Sequence, residues 1–195
     1  MTRKQFLANI AKTGMAAAAV GVLSASAGRS EQALAEQKVP AQDFVGKRMT
    51  TEHTARIAFP PEKIFPLLCP VREYDWIEGW ACQMIYSKSG VAEEDCIFTT
   101  SHTGHPMVWN CNRYEPPKRI EFVTVAPGHM VTRLNISLEP TASGTNLRWE
   151  RIFTGLSEEG NAAVGTWKTE RDEDLSRRIE YYLKTGMMLR EQGKG

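Results

Sequence analysis

The residues that could do chemistry in this chain are few and dispersed. His102 and His105 flank a Thr-Gly dipeptide, a pattern that predicts two imidazoles across a turn. A metal ion would need a third ligand, for which Cys96, Cys111 and Asp95 are the candidates. Histidines in turns are more often solvated than metal-bound, and we therefore expect no metal site and no cofactor.

Acid–base chemistry in a protein interior would require a buried ionisable group with a shifted pKa. The sequence contains no G-x-S-x-G, H-E-x-x-H, P-loop or Rossmann phrase, so no motif identifies a catalytic residue. The candidates are His102, Glu73, Asp75 and Arg113. For Glu73 the alternative interpretation is a structural ion pair with Arg72.

The four cysteines, Cys69, Cys82, Cys96 and Cys111, contain no C-x-x-C pair, which argues against a zinc or redox motif. Their even number permits disulfides in an exported protein, and free buried thiols are the alternative. We expect Cys82 and Cys96 to lie close together on strands joined by a turn at Ser89-Gly90. A disulfide between adjacent antiparallel strands is strained, so we expect this pair to be reduced.

Period-two alternation between turn residues predicts seven strands of an antiparallel sheet. They are 50–59, 80–86, 96–102, 107–114, 120–125, 130–139 and 146–154. Between the first two strands, Pro61 is placed to begin a helix that Pro66 breaks early, and residues 69–79 predict a second short helix or turn.

The C-terminal region changes to helical spacing, which predicts one long helix of about 20 residues ending at Gly186. Its apolar stripe comprises Val164, Trp167, Leu175, Ile179, Tyr182 and Leu183. Such a stripe packs on a sheet that has one apolar face. Side chains with wide apolar surfaces could line a ligand cavity there, with ordinary core packing as the alternative. These ligand-binding candidates are Trp76, Trp80, Met84, Tyr86, Phe98, Trp109 and Trp149.

Four phrases of the chain resemble one known family: Phe59–Phe65, Arg72–Trp80, Tyr114–Phe122 and Thr154–Asn161. With the order of elements, they are similar to the START-like superfamily, also called SRPBCC or the polyketide cyclase/dehydrase group, over roughly residues 50–188. The resemblance implies an α+β helix-grip fold. In this fold a seven-stranded curved antiparallel sheet wraps around a long C-terminal helix, and two short helices follow the first strand.

The resemblance also implies a cavity between sheet and helix, which family members use for sterols, lipids, polyketides, hormones or aromatic compounds. Many members only bind, some are enzymes, and no catalytic set is common to them. The expected function is binding or transport of a small hydrophobic or aromatic molecule. The alternatives are a cyclase, dehydratase or hydrolase acting on an aromatic or polyketide-like substrate, or a protein-interaction module.

The N-terminal region is typical of a bacterial export signal, with a basic pair at Arg3-Lys4, a short apolar run and small-residue exit sites. It resembles a twin-arginine (Tat) signal in which lysine replaces the second arginine, and an ordinary secretory signal is the alternative. Cleavage is expected after Ala35 or Ala27. The predicted organisation is a signal over 1–35, a linker over 36–48 and a START-like domain over 49–190, located in the periplasm.

The charge balance excludes two classes of partner. The chain has 24 basic and 23 acidic residues and a formal net charge of +1. Neither a nucleic acid nor stable membrane insertion is expected from this composition, because no basic cluster and no run of about 20 apolar residues occurs.

Overall fold

Seven antiparallel strands form one sheet in the computed structural model, which describes residues 44–101 and 106–190. They are β1 (Arg48–Ile57), β2 (Cys82–Tyr86), β3 (Ile97–Thr100), β4 (Met107–Glu115), β5 (Arg119–Ala126), β6 (Met130–Thr141) and β7 (Gly144–Gly155). The order across the sheet is β1-β7-β6-β5-β4-β3-β2, so the first strand pairs with the last. The predicted seven-stranded antiparallel sheet is confirmed.

The hairpins form where the sequence supplies turn residues. Gly128, between β5 and β6, has a φ of 69°, and Gly144, which opens β7, has a φ of 144°. A Cβ atom on Gly144 would lie 2.1 Å from the carbonyl oxygen of Ile57, so the chain there has no room for a side chain. Along β7 the residues alternate between buried and partly exposed, as expected for a strand with one face on the core.

The connection from β1 to β2 crosses from one edge of the sheet to the other. It contains α1 (Pro61–Ile64) and two 3₁₀ turns, Phe65–Leu68 and Glu73–Asp75. Pro61 opens α1, and the helix ends before Pro66, as predicted. This segment buries apolar side chains against the sheet and thereby holds Glu73 over its concave face.

The C-terminal helix differs from the expectation because two helices, not one, cover the sheet. They are α2 (Glu158–Val164) and α3 (Glu170–Thr185), and Gly165 caps the first of them. Val164 and Trp167 therefore pack with Met130 and Phe153 in a separate small cluster. The apolar spacing continues across the break because both segments lie on the same sheet. Gly186 ends α3 in the left-handed conformation, as predicted.

The expected proximity of Cys82 and Cys96 is wrong. Cys82 lies opposite Thr100, whereas Cys96 lies beside Cys111, whose backbone N–H donates to the Cys96 carbonyl at 3.0 Å. The reason is register: the β2–β3 pairing is centred near Val91 and not on the turn at Ser89-Gly90. All four cysteines are free.

Some expectations fall on residues outside the described part of the chain. These are the export signal, most of the linker, and the two turn histidines His102 and His105. Within residues 44–101 and 106–190, no helix is long and apolar enough to cross a bilayer.

Candidate functional site

Two adjoining chambers lie between the concave face of the sheet and the C-terminal helices. The outer chamber has a volume of about 250 Å³ and opens beside α2 and α3, where Ala163, Thr166 and Trp167 form its wall. The inner chamber, about 40 Å³, lies deeper in the aromatic core. Trp109, Arg151 and Arg171 line both chambers, so these three side chains stand at the boundary between them.

Five of the seven predicted ligand-binding residues line this cavity. Trp76, Trp80, Phe98 and Trp149 line the inner chamber, and Trp109 lines both. The rings of Phe98 and Trp109 stack with centroids 5.3 Å apart, and Phe122 packs edge-on against both. This geometry gives the cavity rigid aromatic walls.

The four tryptophans that line the inner chamber each have their indole N–H group satisfied by the protein. The acceptors are the Leu67 carbonyl for Trp76 (2.9 Å), the Pro70 carbonyl for Trp80 (2.8 Å), Thr100 Oγ1 for Trp109 (3.0 Å) and Ser176 Oγ for Trp149 (2.8 Å). The four indoles thus need no polar partner from a ligand, and they offer it apolar surface.

The other two candidates, Met84 and Tyr86, lie elsewhere. The register of β2 against β3 shifts between them, so that Met84 pairs with Phe98 and Tyr86 with Ile97. Tyr86 is consequently 49% exposed at the sheet edge, and Met84 is a partly buried residue packed against the core. The simple alternation assumed from the sequence ends at this bulge.

Glu73 places a carboxyl group in the aromatic inner chamber. The residue retains some exposed surface, but its carboxyl group is enclosed by protein, and it is the carboxyl environment that determines its acidity. Burial raises the pKa of Glu73 to about 8, and the positive charges of Arg171 and Arg151 oppose that rise. At neutral pH the carboxyl group is therefore mostly protonated.

Arg151 is held by a buried ion pair with α3. Its Nε donates to both carboxylate oxygens of Asp172, at 2.8 and 3.1 Å, and its terminal nitrogen lies 2.7 Å from the nearer one. Asp172 is 1% exposed, and the Arg151 guanidinium lies 5.9 Å from the centre of the Trp149 ring. The pair fixes the start of α3 against β7 and places a guanidinium beside the cavity.

Arg171 differs from Arg151 because no carboxylate of the described residues binds it. Arg171 is an exposed residue, and its exposed surface lines the open outer chamber. Protein nevertheless surrounds much of its guanidinium group. Burial and the neighbouring charge of Arg151 lower the pKa of Arg171, while Asp172 and Glu73 raise it. Among the described residues, none accepts a hydrogen bond from this guanidinium.

The remaining acid–base candidates are not brought to the cavity. Asp75 accepts a hydrogen bond from Arg72 at 2.6 Å, so the alternative interpretation of Glu73 as the ion-pair partner of Arg72 is wrong. Arg113 is exposed, 3.6 Å from the carboxylate of Glu115. His102 lies outside the described residues, and within the described ranges no cluster of three potential metal ligands occurs.

The two arginines are the functional candidates that sequence reasoning missed. A signal for Arg151 was present, because it shares the inward phase of β7 with Trp149 and Phe153. A charged residue at an inward-facing strand position indicates either a buried ion pair or a ligand-binding site. Arg171 lies in the first turn of α3, and only the three-dimensional arrangement places it opposite Glu73.

An antiparallel sheet that encloses an aromatic cavity against a C-terminal helix defines the helix-grip class of protein. The family model for "Polyketide cyclase / dehydrase and lipid transport" matches residues 48–180, and the chain belongs to this family. No curated protein matches the chain.

Solved structures share the fold at low sequence identity. A protein from Mesorhizobium loti is 20% identical, with a TM-score of 0.53 over 70% of this chain and 97% of its own. A point mutant of norcoclaurine synthase from Thalictrum flavum in complex with a transition-state analogue is 10% identical, with a TM-score of 0.58 over 73% and 98%. The same enzyme in complex with dopamine and hydroxybenzaldehyde is 9% identical, with a TM-score of 0.54 over 71% and 88%.

Proposed function

We propose that this protein binds or transports a small hydrophobic or aromatic molecule in the cavity between sheet and C-terminal helices. The observation that carries the proposal is the aromatic wall of the inner chamber, whose four indole N–H groups are already satisfied within the protein. A cavity of about 150 Å³ is large enough for benzene. The outer chamber, at about 250 Å³, therefore suits a molecule of one or two rings.

The comparisons support this class of ligand. The family description names polyketide chemistry and lipid transport, and one structural neighbour holds the aromatic compounds dopamine and hydroxybenzaldehyde. For this chain we infer a ligand of related character from its own cavity walls.

We also propose that the protein works in the periplasm, on the strength of the export signal that the sequence predicts over residues 1–35. N-terminal sequencing of the protein from the periplasmic fraction should begin at Glu36, or at Gly28 if the earlier site is used. An intact Met1 in a cytoplasmic fraction would contradict this proposal.

Binding is tested by native mass spectrometry of the purified protein, in which a co-purifying molecule should appear as a mass shift lost on denaturation. An aromatic probe titrated into the protein should bind with a dissociation constant of roughly 1 μM. The variant Ala163→Phe fills the outer chamber and should abolish binding. Ala162→Phe adds the same ring to the exposed face of α2 and is the matched control. Equal affinity in both variants would exclude this cavity as the site.

A cyclase, dehydratase or hydrolase is the second candidate function, and Glu73 is the observation that favours it. An acid with a pKa of about 8 can both donate and accept a proton near neutral pH. With an aromatic or polyketide-like substrate, Glu73→Gln should bind normally and lose turnover. If the wild-type protein binds such compounds and releases no product, the carrier function stands alone.

A further inference from the structure

The boundary between the two chambers contains two guanidinium groups, and within the described residues a carboxylate binds only one of them. Arg151 and Arg171 both line the cavity, and Asp172 is fully engaged by Arg151. Glu73 is the carboxyl group that lines the inner chamber. Arg151, Arg171, Asp172 and Glu73 form a group of four ionisable side chains. When Glu73 is protonated, only the Asp172 carboxylate balances the two guanidinium groups, so the group of four carries a net charge of +1 beside the aromatic cavity.

Arg171 and Glu73 face the same space without touching. They influence each other electrostatically, but no hydrogen bond joins them, and neither has another side-chain partner within the described residues. A guanidinium carries five N–H donors in a planar fork that matches a carboxylate. Groups of this kind in a partly enclosed site are normally satisfied by protein, water or a ligand.

We propose that the molecule bound in this cavity is an apolar or aromatic carboxylic acid, whose carboxylate binds Arg171 while its body fills the chambers. The inference rests on the proposed binding function and narrows its ligand class. The carboxylate completes the charge balance with Arg171, and the protonated Glu73 donates a hydrogen bond to its second oxygen. The aromatic walls contact the rest of the molecule, and the four indoles of the inner chamber contribute no competing donor.

The assignment predicts a dependence on pH. Once Glu73 ionises, the group of four becomes neutral, and a second carboxylate then faces the ligand. The other charged or titratable groups near Glu73 are Arg151 of β7, Asp172 and Arg171 of α3, and the Cys82 thiol of β2, while His129 lines the outer chamber. Carboxylate binding should therefore weaken above about pH 8, whereas binding of an uncharged analogue should not.

The test compares 2-naphthoate with 2-naphthamide, which have the same ring system and differ in charge. At pH 6.5, isothermal titration calorimetry of the wild-type protein should show naphthoate binding at least about tenfold more tightly, as expected for a charge-assisted hydrogen-bonded pair. Arg171→Met should remove this preference and leave naphthamide binding within about threefold. Arg171→Lys should keep part of it. Arg177→Met, on the exposed side of the same helix, is the matched control and should keep it fully.

A second arm varies the pH from 6.5 to 9.5, a range in which naphthoate stays ionised because carboxyl groups titrate near pH 4. As the pH rises, the preference for naphthoate over naphthamide should fall in the wild-type protein and stay constant in Glu73→Gln. Equal binding of the two compounds by the wild-type protein would overturn the carboxylate assignment and leave the proposed binding function intact. A preference that survives in Arg171→Met would also overturn it. If neither compound binds, the proposed function itself fails for molecules of this size.

Discussion

The enclosed carboxyl group of Glu73 should make the stability of the protein depend on pH in a way that a single substitution removes. Its pKa is raised from 4.5 to about 8 in the folded protein, so the folded state holds this proton more tightly than the unfolded chain. The contribution of Glu73 is therefore fully present below about pH 4.5, and it is lost progressively as the pH rises to about 8. Above that value the carboxylate is ionised in both states, and the loss is complete.

The magnitude follows from the shift. One pKa unit corresponds to about 1.4 kcal/mol, so a shift of about 3.5 units sets a ceiling near 5 kcal/mol on the stability lost across this window. Glutamine has nearly the same shape and does not titrate. Glu73→Gln should thus match the wild type at pH 4.5 and exceed it increasingly up to pH 8, by about 3–5 kcal/mol.

The assay is urea denaturation of both proteins at pH 4.5, 6, 7, 8 and 9, with the free energy of unfolding taken from each curve. Groups that titrate alike in both proteins cancel in the difference, including Glu121 and Asp174, whose ion pairs lower their pKa values. Glu139→Gln, at an exposed position of β6, is the control for the loss of a surface carboxyl group. If the free energies of unfolding of Glu73→Gln and the wild type differed by the same amount at every pH, the view that the Glu73 carboxyl group is desolvated would be refuted.

Four further outcomes are expected from the contacts described above. Asp172→Ala leaves the buried guanidinium of Arg151 without its carboxylate and should cost about 3–5 kcal/mol in urea denaturation; a cost below about 1 kcal/mol would contradict this. Trp80→Ala should cost less than the about 3–5 kcal/mol typical of a closed core, because Trp80 is half-buried in a chamber wall, and it should weaken probe binding in parallel titrations. Gly160→Ala should destabilise by at least about 1–3 kcal/mol, since its Cβ would lie 1.8 Å from the His129 carbonyl oxygen; an unchanged melting temperature would count against that packing. Thiol titration in denaturant should find four free thiols per chain, and two or none would indicate a disulfide.

The sheet could be predicted from the sequence because its signals are local. Turn residues such as Pro127-Gly128 and Ser143-Gly144 separate strands whose alternation is visible in any short window. The same reasoning failed at two places, where a regular apolar pattern continued across an irregularity of the backbone. Trp167 continues the apolar spacing of α3 across the break at Gly165, and the bulge after Met84 reverses the side on which Tyr86 lies.

The candidate site was predictable only in its aromatic part. Tryptophans at inward strand positions identify a cavity wall or a core without reference to the rest of the chain. Glu73 was a candidate from its type and neighbours, but its function depends on Arg151 and Arg171, which come from β7 and α3. Nothing in a sequence window relates these three positions, because the curvature of the sheet and the path of the β1–β2 connection bring them together.

The pairing of the first strand with the last has a consequence for how the protein folds. The β1–β7 register joins Arg48 to Thr154 and Ile57 to Thr145, so β1 has no partner strand until the chain has been synthesised through β7. The hairpins from β4 to β7 close short loops and are expected to form first, and closing the long β1–β7 loop is entropically the more costly step. The connection that carries Glu73 is anchored at one end by β1. Glu73, Arg151 and Arg171 are therefore expected to come together late in folding. The raised pKa of Glu73 would then report the final folding step.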